Sequence, residues 1–418
     1  MIYQLVKYFN QQGLHFAGEN LFRFISFRAA LAMIISLIVT IFIGKAIIDY
    51  LRKLQIGEDI RELGLQGQAE KKGTPTMGGF IIIIGILTPV LLLCNLANIY
   101  IQLMIFVTIA FTVIGFVDDY LKKFKKNKEG LAGKWKIAGQ TLIGLIVGVV
   151  LYAHPSVIIK RELVNTMSIE SSDNITEKIH MDKNISASFV DAKVPVTTIP
   201  FVKSHELNYA KLLSFITDDY EKYAWIIFIP IVIFILTAVS NGANITDGID
   251  GLAAGTSAVI SIVLLIFAYI SGNILFAKYL NVMYIPMTGE LVVYAAALVG
   301  ACIGFIWYNA YPAQVFMGDT GSLALGGIIG TMSVILRKEL LLPIFCGIFF
   351  VESISVILQV AYFKYTKRKF GEGRRIFLMS PLHHHYQKKG MHESKIVMRF
   401  IIVGLLLALL SLLTLKLR

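Results

Sequence analysis

Ten long apolar runs constrain this chain more than any other feature. They lie near residues 25–49, 77–97, 100–117, 136–153, 224–240, 252–271, 291–308, 321–336, 340–362 and 396–417. An α-helix needs about 20 such residues to cross the hydrocarbon core of a bilayer. Because the apolar residues are continuous rather than alternating, the runs predict helices and not a β-barrel. We therefore expect an all-α polytopic membrane protein, with ten transmembrane helices in the lipid bilayer.

The composition excludes several other classes of protein. Of the 418 residues, 56% are hydrophobic and 16% are charged, whereas a soluble domain has about 45–50% apolar and about 25% charged residues. Disorder, a secreted disulfide scaffold and a soluble multidomain enzyme are therefore poor interpretations. Cys94, Cys302 and Cys346 fall inside apolar runs at spacings that fit no metal or redox motif. We expect them to be buried, small hydrophobic side chains.

Positive charge separates the connections between the runs into two sets. Residues 50–76, 118–135 and 363–395 together hold about half of the 39 Lys and Arg residues. Short loops rich in Lys and Arg stay in the cytoplasm, so these connections, with 241–251 and 309–320, are expected to be cytoplasmic. Both termini then lie on the other side. The net charge of +12 therefore indicates orientation and anionic head groups or substrates, with no nucleic acid as a partner.

The chain divides into three segments. Residues 1–153 carry helices 1–4, residues 154–223 form an insert, and residues 224–418 carry helices 5–10. The insert would be extracytoplasmic. Alternating residues over 186–202 predict a strand or hairpin, and 209–223 predicts an amphipathic helix. Because the insert contains no motif for chemistry, we expect it to be a structural cap or a docking site for a partner.

The polar residues concentrate in the five cytoplasmic connections, which predicts a site at the membrane surface. The segment KKGTPTMGG (71–79) offers lysines, hydroxyls and glycines at a helix start. It fits an anion site or, equally well, a basic anchor with a threonine cap. Asp118 and Asp119 precede Lys122 after the third run. Adjacent carboxylates beside lysines suit Mg²⁺ and phosphate chemistry, and a solvated helix end is the alternative.

Two of these connections contain no Lys or Arg, so membrane orientation does not explain their polarity. Residues 241–251 (NGANITDGIDG) combine Asn, Asp, Thr and Gly, which suit recognition of a nucleobase or sugar but do not match the spacing of an EF-hand. In residues 309–322, Asp319 fits either a cap for the next helix or a Mg²⁺ ligand. Phe316 is suited to stacking on a base.

The fifth connection contains the consecutive histidines His383, His384 and His385. Because consecutive side chains diverge, hydrogen bonding to phosphate is favoured over a shared metal. Glu352 and Gln359 lie inside the ninth run. A polar side chain at that depth is a functional candidate, with helix pairing as the alternative.

Seven segments together resemble the polyprenyl-phosphate N-acetylhexosamine-1-phosphate transferases. The segments are KKGTPTMGG (71–79), FVDDYLKK (116–123), GLAGKWK (130–136), NGANITDGIDGL (241–252), YNAYPAQVFMGDTGSLALGG (308–327), FFVESISVILQV (349–360) and PLHHHYQKKG (381–390). Their order and number make the resemblance specific, and it covers essentially all ten runs. The insert departs from the pattern, because the family has only a short connection there.

The resemblance implies a bacterial inner-membrane enzyme, a homodimer with its active site on the cytoplasmic face. The histidine triplet favours the branch whose donor is UDP-N-acetylmuramoyl-pentapeptide. The phosphate of undecaprenyl phosphate would attack the β-phosphorus of this donor. Phospho-N-acetylmuramoyl-pentapeptide would pass to the lipid, and UMP would leave. The lipid-linked product would be the first lipid intermediate of peptidoglycan synthesis. Mg²⁺ is the implied cofactor.

The resemblance also implies roles for individual residues. Asp319 is expected to bind Mg²⁺ and Asp118 to deprotonate or orient the lipid phosphate, with Asp119 and Lys134 completing the catalytic set. A covalent aspartyl phosphate is an alternative that needs more steps. Substrate contacts are expected from Lys71, Thr76, Lys122, Asn244, Asp247, Gly248, Asp250, Asn309, Phe316, Gly318, His383, His384 and His385.

Three rival interpretations remain open. The same chemistry with UDP-N-acetylglucosamine differs only in its donor. A transporter or lipid flippase would have polar residues at mid-membrane in broken helices, whereas here they collect at one face. A membrane scaffold that binds an envelope partner through the insert leaves Asp319 and residues 241–251 without a role.

Overall fold

A computed structural model describes residues 1–13, 19–54, 71, 73–125, 130–162, 180–181, 188–200 and 206–416. The α-helices in this part of the chain are α1 (Ile2–Gln11), α2 (Ile25–Lys53), α3 (Gly79–Leu93), α4 (Ile99–Lys123), α5 (Gly133–Ala153), α6 (Trp225–Thr246), α7 (Leu252–Ser271), α8 (Ile274–Leu280), α9 (Gly289–Asn309), α10 (Gly318–Ile335), α11 (Leu342–Phe345), α12 (Gly347–Phe370), α13 (Leu382–Lys388) and α14 (Glu393–Leu413). The prediction of an all-α polytopic membrane fold is confirmed.

Each of the ten predicted runs contains a helix, but the count of ten spans is not confirmed. Eight of the described helices are long and apolar enough to cross a bilayer. The other two runs contain α3, which has 15 residues and an internal Pro89, and α10, which has 18 residues. The run at 340–362 is divided, because a 3-10 helix (Glu339–Leu341) and α11 precede α12.

Several helices continue beyond their apolar runs, and the extensions carry polar residues. Helix α4 continues to Lys123 instead of ending near residue 117, so Asp118 and Asp119 are helical. Helix α6 continues to Thr246 and therefore includes Asn244. Helix α10 begins at Gly318, which places Asp319 in its first turn. Parts of the predicted connections are thus helix ends, where side chains are held more rigidly than in loops.

Helix α10 lies in the core of the bundle. Its residues 320–335 are buried along their whole length, and it packs against α3, α4 and α6. A Cβ added to Gly115 of α4 would lie only 2.1 Å from the carbonyl oxygen of Asp319, so glycine is needed for the two backbones to touch. This contact brings the last turns of α4 against the first turn of α10.

The three cysteines behave as the sequence predicts. Cys94, Cys302 and Cys346 are all buried and form no disulfide. They contribute to the core as small apolar side chains.

The insert contains short strands, which confirms its predicted β character. Strands β1 (Ile159–Glu162), β2 (His180–Met181) and β3 (Ser188–Ala192) form an antiparallel sheet in the order β1-β3-β2, and β4 (Val196–Thr198) pairs with β5 (Glu206–Asn208). Residues 186–187 and 201–202 of the predicted strand region lie outside the described part of the chain. Val157, Ile159, Val196 and Tyr209 join the main hydrophobic core.

The amphipathic helix predicted over residues 209–223 is wrong. A 3-10 helix (Tyr209–Leu213) is followed by turns up to residue 224. Asp219 donates its backbone N–H to Thr217 Oγ1 at 3.3 Å, and local bonds of this kind compete with helical hydrogen bonds. Tyr209 and Leu213 are both buried, which holds residues 209–213 in the tighter 3-10 conformation instead of an α-helix.

Candidate active site

Three carboxylates from two helices meet where α4 ends and α10 begins. Asp118 and Asp119 come from the end of α4, and Asp319 comes from the first turn of α10. One oxygen from each lies within 4.8 Å of the others. The backbone contact at Gly115 sets this distance, so the cluster depends on how α4 and α10 pack.

Asp119 holds the start of α10. Its Oδ1 accepts the backbone N–H of Asp319 at 3.2 Å. Its Oδ2 accepts the backbone N–H of Thr320 at 2.9 Å and the Thr320 hydroxyl at 2.7 Å. A carboxylate at this position satisfies free N–H groups and is favoured by the helix dipole. Because both oxygens of Asp119 are engaged, its observed role is to position Asp319.

The conformation of Gly318 makes this capping possible. Gly318 has a φ of +73°, and an added Cβ would lie 2.7 Å from Asp119 Oδ2 and 3.0 Å from Thr76 Oγ1. Other residues rarely adopt this left-handed region. Gly318 and the buried Thr76 therefore lie beside the aspartate cluster, and glycine is required at position 318 for steric reasons. Their predicted contact with substrate stays a prediction.

Two lysines bridge Asp118 and Asp319. Lys122 Nζ lies 2.5 Å from Asp118 Oδ2 and 3.2 Å from Asp319 Oδ2. Lys136 Nζ lies 2.6 Å from Asp319 Oδ2 and 3.1 Å from Asp118 Oδ2. The two ammonium groups offset the repulsion between carboxylates that are largely shielded from water. The same lysines are suited to receiving phosphate oxygens.

Lys136 contacts the aspartate cluster, although the sequence gave it no predicted role. Lys134 is exposed, and its ammonium lies 5.9 Å from the ring centroid of Trp135. Residues two apart on a helix face different directions, so only one of the two lysines in α5 points into the cluster. Sequence spacing did not indicate which one. The predicted catalytic role of Lys134 is untested, and its exposed ammonium favours Lys136 for that role.

Asn244 fixes the remaining oxygen of Asp319. Its Nδ2 donates to Asp319 Oδ1 at 2.8 Å and to Ser322 Oγ at 2.9 Å. Asp118 Oδ1 likewise accepts the backbone N–H of Leu131 at 2.7 Å. Each of the two carboxylates therefore has one oxygen fixed by a neutral donor and one oxygen, Oδ2, facing cations.

The donor set fits a hard divalent cation. Mg²⁺ prefers carboxylate oxygens and usually keeps part of its hydration shell for a phosphate substrate. Asp118 and Asp319 direct their Oδ2 atoms toward the same lysine ammonium groups. With Asp119, whose two oxygens also accept hydrogen bonds from the start of α10, they form a group of three carboxylates that could hold a metal ion.

Lys71 belongs to a second, adjacent network of charges. Its Nζ lies 2.7 Å from Asp250 Oδ1 and 2.5 Å from Glu393 Oε1. It also lies 6.0 Å from the ring centroid of Phe316 and 5.7 Å from that of Tyr311. Lys71 is thus paired with two acids in this structure, next to the half-buried aromatic ring that the sequence predicts to stack on a base.

Asp250 connects this network to the fourth polar segment. Its Oδ2 accepts the backbone N–H of Ala313 at 3.0 Å, and its backbone N–H donates to Glu393 Oε1 at 2.7 Å. Burial raises the pKa of Asp250, and the nearby Lys71 ammonium opposes that rise. Glu393 was not predicted as a site residue. Its one unusual feature in the sequence is that it is an acid in a strongly basic connection.

Asn309 ties two polar segments together through backbone contacts. Its Oδ1 accepts the N–H of Gly251 at 3.0 Å, and its Nδ2 donates to the carbonyl of Val315 at 2.9 Å. The side chain is buried, so it supports the arrangement of residues 247–251 and 309–318. Its predicted contact with substrate stays a prediction.

The first and fourth polar segments pair along their backbones. Phe316 donates its N–H to the carbonyl of Pro75 at 2.8 Å, and Gly78 donates its N–H to the carbonyl of Phe316 at 2.8 Å. These bonds place Phe316 beside Lys71 and Thr76. Lys72, in the same motif, lies outside the described residues.

The three histidines have three different environments. His383 Nδ1 lies 3.1 Å from Glu352 Oε2, and both side chains are fully buried. His384 Nδ1 lies 2.6 Å from Gln387 Oε1, and burial lowers the pKa of His384 to about 4. His385 Nδ1 accepts the N–H of Leu378 at 3.1 Å. The three consecutive side chains therefore diverge, as expected from their spacing.

The loop at residues 247–251 lies against the buried histidine. A Cβ added to Gly248 would lie 2.2 Å from His383 Nε2, so only glycine allows this approach. Asp247 is half-buried at the end of α6, and Gly248 is exposed. The predicted nucleotide segment and the histidine segment are therefore neighbours in space.

The polar side chain of Gln359, in the middle of α12, has a structural role. Its Oε1 accepts the N–H groups of Ile376 and Phe377, each at 3.0 Å. The bonds fix the middle of the loop that leads to α13. Gln359 therefore anchors this loop, while Glu352 on the same helix pairs with His383.

The chain is similar over its full length to several known proteins. A protein-family model described as glycosyl transferase family 4 matches residues 101–337. The chain is 58% identical to a curated phospho-N-acetylmuramoyl-pentapeptide-transferase of Flavobacterium psychrophilum and 57% identical to one of Flavobacterium johnsoniae, over 418 residues and 100% of each chain. Identity to the same-named protein of Parabacteroides distasonis is 54% over 432 residues, again covering 100% of both chains. Full-length coverage includes residues 154–223, so the insert is shared with these relatives.

Proposed function

Because the chain belongs to glycosyl transferase family 4, we propose that it transfers phospho-N-acetylmuramoyl-pentapeptide from its UDP derivative to undecaprenyl phosphate. UMP is the second product. The relatives that match over the full length carry the name of this transferase. The observation that carries the proposal is the pair Asp118 and Asp319, bridged by Lys122 and Lys136. The two ammonium groups of this cluster can offset the repulsion between two anionic phosphate substrates.

In the proposed reaction, an oxygen of the lipid phosphate attacks the β-phosphorus of the nucleotide donor. A new P–O bond forms to the β-phosphorus. The bond between the β-phosphorus and the oxygen that bridges it to the α-phosphate breaks, and UMP leaves with that electron pair. Both reactants are anionic, so positioning and charge stabilisation account for most of the catalysis. Lys122 and Lys136 bind and orient phosphate oxygens. Asp118 accepts the proton of a protonated lipid phosphate or orients its anion.

We propose Mg²⁺ as the cofactor, held by Asp319, with the Asp118 carboxylate beside it for the lipid phosphate. When bound, Mg²⁺ would neutralise phosphate charge and orient the reacting groups. Asp119 keeps α10 in place, and Asn244 keeps the Asp319 carboxylate in one orientation. The support is the set of oxygen donors and their mutual distances.

The second network is proposed to hold the nucleotide. Phe316 stacks on uracil, while Asp247 and Gly248 offer polar and backbone contacts beside it. Lys71 would exchange part of its pairing with Asp250 and Glu393 for the diphosphate of the donor. His384 and His385 are proposed to hydrogen-bond the phosphates or the sugar, and the buried His383 is proposed to support the loop at residues 247–251.

The proposed location is the bacterial inner membrane, with this site on the cytoplasmic face. The clustering of Lys and Arg in the connections on the site side supports that orientation. A homodimer, which the resemblance implies, stays a prediction that mass measurement in lipid nanodiscs would test.

A donor exchange tests the proposed function. Purified protein is incubated with undecaprenyl phosphate, Mg²⁺ and either UDP-N-acetylmuramoyl-pentapeptide or UDP-N-acetylglucosamine, and UMP is measured. We expect UMP with the first donor only, and none from an Asp319→Ala variant. Turnover with UDP-N-acetylglucosamine alone would contradict the assigned donor while leaving the chemistry intact.

A further inference from the structure

Three consecutive charged residues are buried at the end of α10 that lies opposite Asp319. Arg337, Lys338 and Glu339 are 6%, 1% and 4% exposed, respectively. Charged side chains are almost never buried this fully unless partners compensate them. Residues 337–339, called the connector below, join α10 to α11 and α12. The source of their partners is therefore informative.

Two elements of the insert supply partners for the side chains of Lys338 and Glu339 and for the backbone of Arg337, whose guanidinium lies over the ring of Phe228. Strand β4 donates the backbone N–H of Thr198 to the carbonyl of Arg337 at 3.0 Å, and Lys338 Nζ donates to Thr198 Oγ1 at 2.9 Å. The 3-10 helix after β5 contributes Tyr209, whose hydroxyl donates to Glu339 Oε1 at 2.9 Å. The insert thus forms hydrogen bonds to every residue of the connector.

The connector begins with an unusual backbone conformation. Arg337 has a φ of +56°, a left-handed conformation that is uncommon outside glycine. It allows Lys338 to donate its backbone N–H to the carbonyl of Ser333 at 2.9 Å, which closes the last turn of α10. Such a conformation persists only where the surroundings fix it. Thr198 binds the carbonyl of this same residue.

Helix α10 connects the connector to the aspartate cluster. With 18 residues it spans about 27 Å at about 1.5 Å per residue. Asp119 holds one end through the N–H groups of Asp319 and Thr320, and the insert holds the other. Because a helix transmits displacement along its axis, a change at the connector can move the Asp319 carboxylate. A misplacement of about 1 Å can cost about 100-fold in rate.

We propose that Thr198 and Tyr209 of the insert are positioning residues for the transfer reaction, which act through α10 on Asp319. This inference rests on the proposed function. It changes the role expected for the insert, from a separate cap to a part of the catalytic architecture. Thr198 and Tyr209 contact the end of α10 opposite Asp319, so their effect is on geometry and not on substrate contact.

Conservative substitutions at the two positions test this inference. Tyr209→Phe removes the hydroxyl that binds Glu339 and keeps the ring, and Thr198→Val removes the acceptor for Lys338 and keeps the shape. Asp191→Asn is the matched control, because Asp191 pairs with Lys160 at 3.7 Å within the sheet of the insert, away from the connector. All variants are purified in detergent, and the amount of folded protein is measured by fluorescence-detected size exclusion.

We expect kcat per folded molecule to fall about threefold to tenfold in Tyr209→Phe and Thr198→Val, the range of long-range coupling in proteins. The KM for the nucleotide donor should stay within twofold, and Asp191→Asn should match wild type. A merely structural role would lower the yield of folded protein and its thermal stability but leave kcat per folded molecule unchanged.

A double-mutant cycle adds a readout that stability alone does not move. Tyr209→Phe is combined with Lys136→Met, which alters the environment of Asp319 directly. Coupling through α10 predicts that the two effects on kcat do not multiply. Independent, multiplying effects, or unchanged kcat in both insert variants of an active enzyme, would overturn this inference alone. Wild-type protein that releases no UMP would overturn both this inference and the proposed function.

Discussion

Replacement of Lys136 by methionine tests the structural assignment of the site, because the neighbouring Lys134 provides a natural control. Lys136 Nζ lies 2.6 Å from Asp319 Oδ2 and 3.1 Å from Asp118 Oδ2. Methionine keeps the length and apolar character of the side chain and removes the charge. Among the residues that the structure describes, Lys122 would then be the one lysine that still bridges the two carboxylates.

The magnitude of the effect follows from burial and from that remaining partner. The side chains of Lys136 and Asp319 are only 18% and 13% exposed. Breaking a fully buried ion pair costs about 3–5 kcal/mol, and hydrogen bonds to charged groups contribute about 1.5–3 kcal/mol. Since Lys122 remains 3.2 Å from the same oxygen of Asp319, the lower range applies. A loss of about 2–3 kcal/mol in transition-state stabilisation corresponds to about 30- to 150-fold in kcat/KM.

The assay is the initial rate of UMP release at several donor concentrations, normalised to folded protein. Lys136→Met should lose kcat/KM by the factor given above, because its charge is absent where phosphate charge develops. Lys134→Met should lose less than about threefold, since exposed charges contribute little. The reasoning fails if the two variants lose activity equally or if Lys134→Met is the weaker enzyme.

The remaining predictions concern Asp118 and Asp319, binding of the nucleotide donor, and stability at low pH. Asp319→Ala and Asp118→Asn should abolish transfer while size exclusion shows folded protein, and near-normal turnover in either would remove its assigned role. Phe316→Ala should raise the donor KM more than it lowers kcat, and equal losses of kcat and kcat/KM would argue against ground-state stacking. Burial lowers the pKa of His384 to about 4 from an ordinary value of 6.5. Between these pH values the unfolded chain binds more protons than the folded protein. The folded protein therefore loses stability as the pH falls through that window. Thermal unfolding at pH 7 and pH 5 should show a smaller acid loss for His384→Gln than for wild type, and an unchanged loss would contradict this origin.

The sequence predicts the membrane architecture well because bilayer crossing imposes a length on apolar runs. Each run contains a helix, but helix ends do not coincide with run ends. Asp118 and Asn244 continue their helices into the polar region, because a helix ends where its hydrogen bonds end, not where its apolar residues end. Apolar length therefore locates the spans and misses the last turns, where the site lies.

The candidate site was predicted as a set of loops, and the structure adds which side chains face each other. Lys134 and Lys136 differ by two positions, and only packing of α5 against α4 decides which one reaches Asp319. Glu393 gave little indication in the sequence, since its role depends on Lys71, which is far away in the chain. Contacts between distant segments are the part that composition and spacing do not encode.

The insert shows the limit of motif-based reasoning most clearly. It contains no chemistry motif, yet Thr198 and Tyr209 satisfy charges at the far end of the helix that carries Asp319. The expected amphipathic helix over 209–223 is replaced by a short 3-10 helix and turns. The contact of Tyr209 with the connector and the local hydrogen bond between Asp219 and Thr217 both oppose the expected helix.

The most direct test of the central claim measures both products in one reaction. Purified protein is given UDP-N-acetylmuramoyl-pentapeptide labelled in the peptide, with Mg²⁺ and with or without undecaprenyl phosphate. We predict stoichiometric UMP and label in the lipid phase, dependent on both Mg²⁺ and the lipid phosphate and absent from Asp319→Ala. Label that never enters the lipid phase, or equal transfer by Asp319→Ala, would contradict the account.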